Sequence, residues 1–298
     1  MLFDCLRSLQ SLSLIKCCNL TELPDNITQL SSLRWLDLKR CSNLTKLPFS
    51  MRHLSKLYSL SVEGCTALRS LPELTPSLQK LDATDCTSLE TVNISTISSP
   101  LWNTIDAVFS FTNCVNLDVS VIEEQVKCLL LKAVHEKAVS VEVSYPGKKV
   151  PEWFGNNWTQ NDSNSVNLSL SSLEDFILCV VVPDLPEEAF LNPGIFFVFS
   201  RGGINLFSSI FKVSPGHVFV CSCSFLAVAI LDHMKHPPLA KPILDKIEVD
   251  KAKHEATGAA DNRNLAVNFN FRYSRDTCLP AKVCGVYPIY AMPQKIRS

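Results

Sequence analysis

Leucines recur along the first third of the chain at fixed intervals. Leu9, Leu12 and Leu14 are followed by Cys17 and Leu20, and the same spacing returns at Leu33, Leu36, Leu38, Cys41 and Leu44. A third copy reads Leu57, Leu60, Val62, Cys65 and Leu68, and a fourth reads Leu78, Leu81, Ala83, Cys86 and Leu89. The first three copies lie 24 residues apart and the fourth follows after 21. Leu23-Pro24, Leu47-Pro48 and Leu71-Pro72 each follow one of the first three strand segments. The alternation inside each copy predicts a short strand whose leucines enter a stacked core. The cysteine then sits inside the turn, where a small, weak donor meets backbone carbonyls. Zinc is the competing use of four such cysteines, but stacked repeats string them into a ladder rather than gathering them around one point.

The pattern L-x-x-L-x-L-x-x-N/C-x-L, at a period of roughly 20–29 residues, is the leucine-rich repeat signature. It predicts parallel strands with inward leucines and a row of outward residues on a concave face. That face should carry Gln10, Ser13 and Lys16 from the first copy, and Arg34, Trp35, Asp37, Lys39 and Arg40 from the second. Tyr58, Ser61 and Glu63 follow from the third, then Gln79, Lys80, Asp82 and Asp85 from the fourth. Aromatics and Arg among mixed charges suit protein binding. Trp35 has two readings, a contact residue or a side chain leaning on the next repeat. The first copy begins close to Met1 with no polar capping segment, so a longer array or a truncated product is expected.

After Thr91 the leucine register lapses, and the Ser/Thr-rich stretch Asn93 to Thr104, broken by Pro100, reads as a boundary. The expectation is repeats over residues 1–98 and a second domain over 106–292. Ile122, Val126, Leu129, Leu130 and Ala133 keep one helix face between Val119 and Val139. Beyond it, β-rich runs separated by turn residues predict an all-β sandwich or jelly roll. They are Val139 to Val143, Val166 to Leu170, Phe176 to Val182, Ile195 to Phe199, Val218 to Cys221, Phe225 to Leu231, Ala266 to Tyr273 and Val283 to Tyr290. The apolar runs at Phe176 and Phe225 read as strands covered on both faces, and Lys235 to Arg263 as a polar loop. The predicted fold class is therefore an α/β leucine-rich-repeat solenoid followed by an all-β jelly-roll/Ig-like sandwich with one helix.

Composition narrows function by exclusion. The 28 basic and 29 acidic residues nearly cancel, so neither a nucleic acid nor a membrane surface is favoured as partner. Val218 to Leu231 falls short of the roughly 20 apolar residues of a spanning helix. Asp4 stands where a secretory signal would be cationic, and 13 cysteines, an odd number, fit a reducing compartment better than a disulfide scaffold.

Phe109-Ser110-Phe111-Thr112-Asn113-Cys114 with Leu117, Tyr145-Pro146-Gly147-Lys148-Lys149-Val150-Pro151-Glu152-Trp153-Phe154, Phe176 through Val182, and Lys282-Val283-Cys284-Gly285-Val286-Tyr287 with Tyr290 form an ordered set. This set resembles the C-terminal jelly-roll/Ig-like domain that follows the repeats in plant TIR-NB-LRR disease resistance receptors. The Cys-bearing 24-residue repeats are also typical of that class, so the resemblance covers nearly the whole chain. It implies recognition of a pathogen effector protein by repeats and β-domain together, in the cytoplasm or nucleus. Oligomerisation and NAD cleavage would belong to other domains of a parent receptor. No G-x-x-x-x-G-K-[ST] phosphate loop occurs here, and no catalytic residue, cofactor or metal is expected. The proposed contact set is Arg34, Trp35, Asp37, Lys39, Arg40, Tyr58, Glu63, Lys80 and Asp82, with Lys148 and Lys149 in a second surface near the loop Asn156 to Asn164.

The residues also suggest three other readings. Cys221-x-Cys223 near His217, His233 and His236 suggests a metal or thiol site, but the spacing matches no metal framework and suits packed core. Trp153, Phe154 and Trp158 beside Asn156, Asn157 and Asn161 suggest a carbohydrate-binding, lectin-like loop, against the alternative that Trp153-Phe154 anchors the β-domain. A truncated receptor acting as scaffold or decoy is the third.

Overall fold

The computed structural model describes residues 6–98, 106–136, 138, 140–155, 158–160, 165–169, 173–182, 194–201, 204–212, 216–222, 264–272, 278–280 and 283–290. Each leucine copy forms a three-residue strand at its centre: β1 (Ser11–Ser13), β2 (Trp35–Asp37), β3 (Ser59–Ser61) and β4 (Lys80–Asp82). They pair in parallel with Leu12, Leu36, Leu60 and Leu81 in one row. The inward residues of the second to fourth copies, cysteines included, are buried. Those of the first copy are only half-buried, with Cys17 exposed, because no rung lies against that side among the described residues.

The prolines start the outer turns. Pro24 and Pro48 precede 3-10 turns at Asp25–Gln29 and Phe49–His53 and hold extended backbone there, as their fixed φ favours. No such turn follows Pro72, and this shorter return accounts for the 21-residue fourth copy.

The rungs continue past the apparent boundary. β5 (Ala107–Ser110) pairs in parallel with β4, setting Phe109 beside Leu81. Phe109, Phe111, Cys114 and Leu117 are buried at the repeat spacing, after an interval of 28 residues. From β5 the chain crosses through α1 (Val119–His135), capped by the Asp118 carboxylate accepting the Ser120 and Val121 N–H groups. The helix buries the face expected of it: Ile122, Val126, Leu129, Leu130 and Ala133. It ends four residues before Val139. β6 (Val141–Pro146) then adds parallel to β5, Val143 beside Phe109.

Beyond β6 the sheet turns antiparallel. With β7 (Trp158–Gln160), β8 (Ser165–Ser169), β9 (Leu173–Val181), β10 (Gly194–Arg201), β11 (Ile204–Lys212), β12 (His217–Ser222), β13 (Asn264–Arg272), β14 (Cys278–Pro280) and β15 (Val283–Tyr290), two sheets result. The first runs β1-β2-β3-β4-β5-β6-β12-β9-β15-β7. The second runs β11-β10-β13-β14, with β8 also on β13. Phe176 to Val182 is buried on both faces, as its unbroken apolar run implies. The stretches Phe225 to Leu231 and Lys235 to Arg263 lie outside the described residues. The organising unit is thus a mostly parallel β-solenoid of about four turns with one α-helix, extended by antiparallel strands.

Pro146-Gly147 and the Pro151 to Phe154 run have a structural explanation. A Cβ on Gly147 would lie 2.7 Å from Val218 Cγ2, so glycine lets the chain leave β6 against β12. Phe154 is fully buried, Trp153 packs on it at 4.3 Å between ring centroids, and both pack into the core. The two rings therefore anchor this turn to the core, Phe154 completely and Trp153 in part. The side chain of Trp158 is not among those described.

Candidate functional site

Two hydrogen-bond ladders hold the backbone beneath the concave face. In the first, each cysteine thiol donates to a carbonyl one rung back: Cys41 to Leu14 at 3.1 Å, Cys65 to Leu38 at 3.2 Å, Cys86 to Val62 at 3.1 Å and Cys114 to Ala83 at 3.1 Å. The same carbonyls take the Cys N–H of their own rung, as Leu38 does from Cys41 at 3.2 Å. A carbonyl has two lone pairs, and in a dry interior both acceptors are satisfied this way. Burial pushes the Cys65 and Cys114 thiols up to about 12, and Cys86 upward also, so they stay protonated donors. They are spread along the stack, and no group of three His, Cys, Asp or Glu among the described residues is placed to hold a metal.

The second ladder runs along the corner before each cysteine. Lys16, Arg40, Gly64, Asp85 and Asn113 all adopt positive φ, between 58° and 71°. Four of their N–H groups donate to the next rung: Lys16 to Lys39, Arg40 to Glu63, Gly64 to Thr84 and Asp85 to Thr112. The last, Asn113 N–H, turns instead to a side chain of β12, the strand that pairs with β6 at this corner. The His217 Nε2 accepts it at 2.8 Å, which requires the proton on Nδ1. His217 therefore caps the ladder. It lies four residues from Cys221 along a strand, about 13 Å at strand rise, so the two do not form a catalytic pair.

On this frame the outward side chains fall into two rows. One runs Ser11, Trp35, Ser59, Lys80, Val108 and Glu142; the other runs Ser13, Asp37, Ser61, Asp82, Ser110 and Ser144. Those of the first five rungs, together with Lys39, line an open groove of about 780 Å³ over β1 to β5. The second row is low and polar, and its serines and aspartates leave a trough. Asp37 and Asp82 each accept an N–H two residues on, from Lys39 at 3.1 Å and Thr84 at 3.2 Å, which holds both carboxylates in place. Ser110 shares hydrogen bonds with Thr84 at 3.1 Å and Thr112 at 3.0 Å and takes one from Ser144 at 3.3 Å.

Trp35 is 43% exposed and leans edge-on against Tyr58 of the next rung, at 6.4 Å. Lys80 Nζ lies 5.8 Å from the centre of the Tyr58 ring. Lys39 spans the trough, 2.7 Å from Glu63 and 3.7 Å from Asp82. The hydrogen bond it donates to Glu63, with the surrounding carboxylates, raises its pKa against a smaller opposing effect of burial.

Of the expected contact residues, Trp35, Asp37, Lys39, Lys80 and Asp82 line the groove, Tyr58 and Glu63 touch lining side chains, and Arg34 and Arg40 are exposed at its rims. Lys148 and Lys149 are exposed in the bend after β6 and do not line it. Gln79 departs from expectation: it is fully buried, because its position precedes β4 where the neighbouring rung closes over it. Sequence reading missed Val108, 37% exposed, and Glu142. The signal for Val108 was the Phe109-x-Phe111-x-x-Cys114-x-x-Leu117 spacing; Glu142 left none.

Glu142 closes the far end. Burial and the negative charge of Asp106 push its carboxyl up to about 7, against the Ser140 hydrogen bond that pulls it down. The strand beside it is sealed: Cys221, its partner across the sheet, is fully buried. The open face therefore ends at β6.

The result is an open face of diverse side chains on a repeat frame, the kind of extended surface that solenoid proteins use for binding. No family model matches the chain. Across 95 residues, 28% of its length, it is 40% identical to disease resistance protein RPS4B of Arabidopsis thaliana. Across 99 residues it is 37% identical to disease resistance protein RPS4 of the same plant. The matched part is 8% of the length of each relative. Among the described residues no helix is long and apolar enough to cross a membrane.

Proposed function

We propose that this chain is the sensor portion of an intracellular plant immune receptor, leucine-rich repeats followed by a jelly-roll/Ig-like domain, and that it recognises a pathogen effector protein. The observation that carries the reading is the groove over β1 to β5. Its first row of outward side chains differs from rung to rung while the leucines, cysteines and corner N–H groups hold the frame beneath them. The likeness to proteins named for disease resistance supports the setting in plant defence. Binding is the chain's own task in this reading, and any signal comes from other domains of a parent receptor, in cytoplasm or nucleus.

The test is binding of the purified chain to a panel of secreted pathogen proteins by surface plasmon resonance. For any protein bound, Arg34→Ala combined with Trp35→Ala should weaken affinity at least about tenfold, as expected of an aromatic and arginine hot spot. Lys46→Ala, on the outer surface and paired with Glu22 at 2.8 Å, should leave it unchanged. Equal affinity for the double variant and the parent sinks the reading.

A further inference from the structure

The groove is electrically divided along the stack. Among the described residues, the outward charges of the first two copies are Lys16, Arg34, Lys39 and Arg40 against one carboxylate, Asp37. From the third rung to β6 the balance reverses, with Lys80 outnumbered by carboxylates that end in Asp106 and Glu142. Only the middle is compensated internally, by Lys39 reaching Glu63 and Asp82. Among the described residues, Arg34 and Arg40 at one end, and Asp106 and Glu142 at the other, make no ion pair. From β2 to β6 is four strand steps, about 19 Å. A Debye length at physiological salt is about 8 Å, so the ends act on a bound chain as two separate fields. The exposed Trp35 ring stands at the basic end itself, and between the ends lies the low serine and aspartate trough.

We infer that the groove takes an extended protein segment whose charges are segregated, acidic side chains over β1 and β2 and basic side chains over β4 to β6. This rests on the protein-recognition reading above and adds the chemistry and direction of the bound segment. A nucleic acid would be repelled from the β4 to β6 end, and an evenly charged segment would match one end and oppose the other. The raised Glu142 carboxyl fits the same arrangement, since a cation seated there would supply the countercharge the fold withholds.

The test uses the full chain and three fluorescein-labelled twelve-residue peptides. The first has four Glu, a central aromatic block and four Lys; the second has the same composition with Glu and Lys alternating; the third has eight Lys around the same centre. Fluorescence anisotropy should show the segregated peptide binding at least about tenfold more tightly than either other, with the advantage fading between 50 and 500 mM salt. Asp106→Asn with Glu142→Gln should remove at least about fivefold of that affinity, and thermal melts should confirm a folded variant. Equal binding of segregated and alternating peptides overturns the charge order, as does tightest binding of the all-Lys peptide. Absence of binding by all three up to 1 mM overturns it too. None of these results touches the Trp35 and Arg34 test with pathogen proteins, so the two readings fail separately.

Discussion

Replacing Glu142 by Gln isolates the electrostatic cost of the groove's closed end. In the fold its carboxyl titrates at about 7, chiefly because burial disfavours the charge and secondly because Asp106 faces it; its ordinary value is 4.5. The sign follows from proton binding. Below about pH 4.5 the group is protonated in both folded and unfolded chains, and no cost arises. Between 4.5 and 7 the unfolded chain has released a proton that the folded chain keeps, so stability falls as pH rises. Above 7 the cost is complete and the curve flattens. The interval of about 2.5 units at 1.36 kcal/mol each sets an upper bound of roughly 3 kcal/mol. Part of Glu142 reaches solvent, so about 1–3 kcal/mol is the working range. Urea unfolding of parent and Glu142→Gln at pH 5, 6, 7 and 8 reads it directly. The variant should be the more stable at pH 8 and lose that advantage toward pH 5. Glu123, also raised by burial and by Glu152, has the same sign but is common to both proteins and cancels in the difference. Parallel stability curves for the two proteins would refute the reasoning.

Gly147→Ala should cost about 1–3 kcal/mol, the range for overpacking, because its Cβ would meet Val218 Cγ2 at 2.7 Å; a melting temperature equal to the parent's would show that β12 yields freely. Tyr145→Phe should be neutral or stabilising by up to about 1 kcal/mol, since the fully buried hydroxyl has no hydrogen-bond partner; a clear loss in chemical denaturation would mean that the oxygen is satisfied. Under native conditions at pH 8, mass spectrometry after brief iodoacetamide treatment should find Cys17, Cys18 and Cys128 modified and Cys65, Cys86 and Cys114 protected, the first three being exposed and the others buried with raised pKa. Modification of Cys65 at the rate of Cys17 would contradict the thiol ladder.

Legibility in the sequence followed the range of the interactions. Strand positions, the row of inward leucines and the buried face of α1 depend on contacts repeated every few residues, and period alone exposes them. The fifth rung escaped because Phe109 and Phe111 replace leucines and the interval stretches to 28 residues, so that spacing rather than residue type was the surviving signal. The pairing of β6 with both β5 and β12, and the use of His217 as a cap, join residues far apart in sequence; Asn113 and His217 are separated by 104 positions. Nothing local encodes such a bond. The groove was legible residue by residue, yet its closed end was not, because Glu142 lies in a strand whose place in the sheet is fixed by distant partners.

The corner ladder bears on how a face of this kind can vary without losing its frame. Every rung needs one left-handed residue before its cysteine, and only the third supplies a glycine, Gly64. Left-handed backbone costs an L residue roughly 1–2 kcal/mol. Asp85 and Asn113 offset part of it, since short polar side chains tolerate the region, and here Asn113 Nδ2 donates to Asp85 at 2.8 Å. Lys16 and Arg40 have no such compensation in their side chains, and their N–H groups are satisfied by the ladder whatever residue stands there. Glycine would serve the backbone better at both positions. That cations occupy them instead, at the basic end of the groove, is what a surface chosen for contact rather than stability would show.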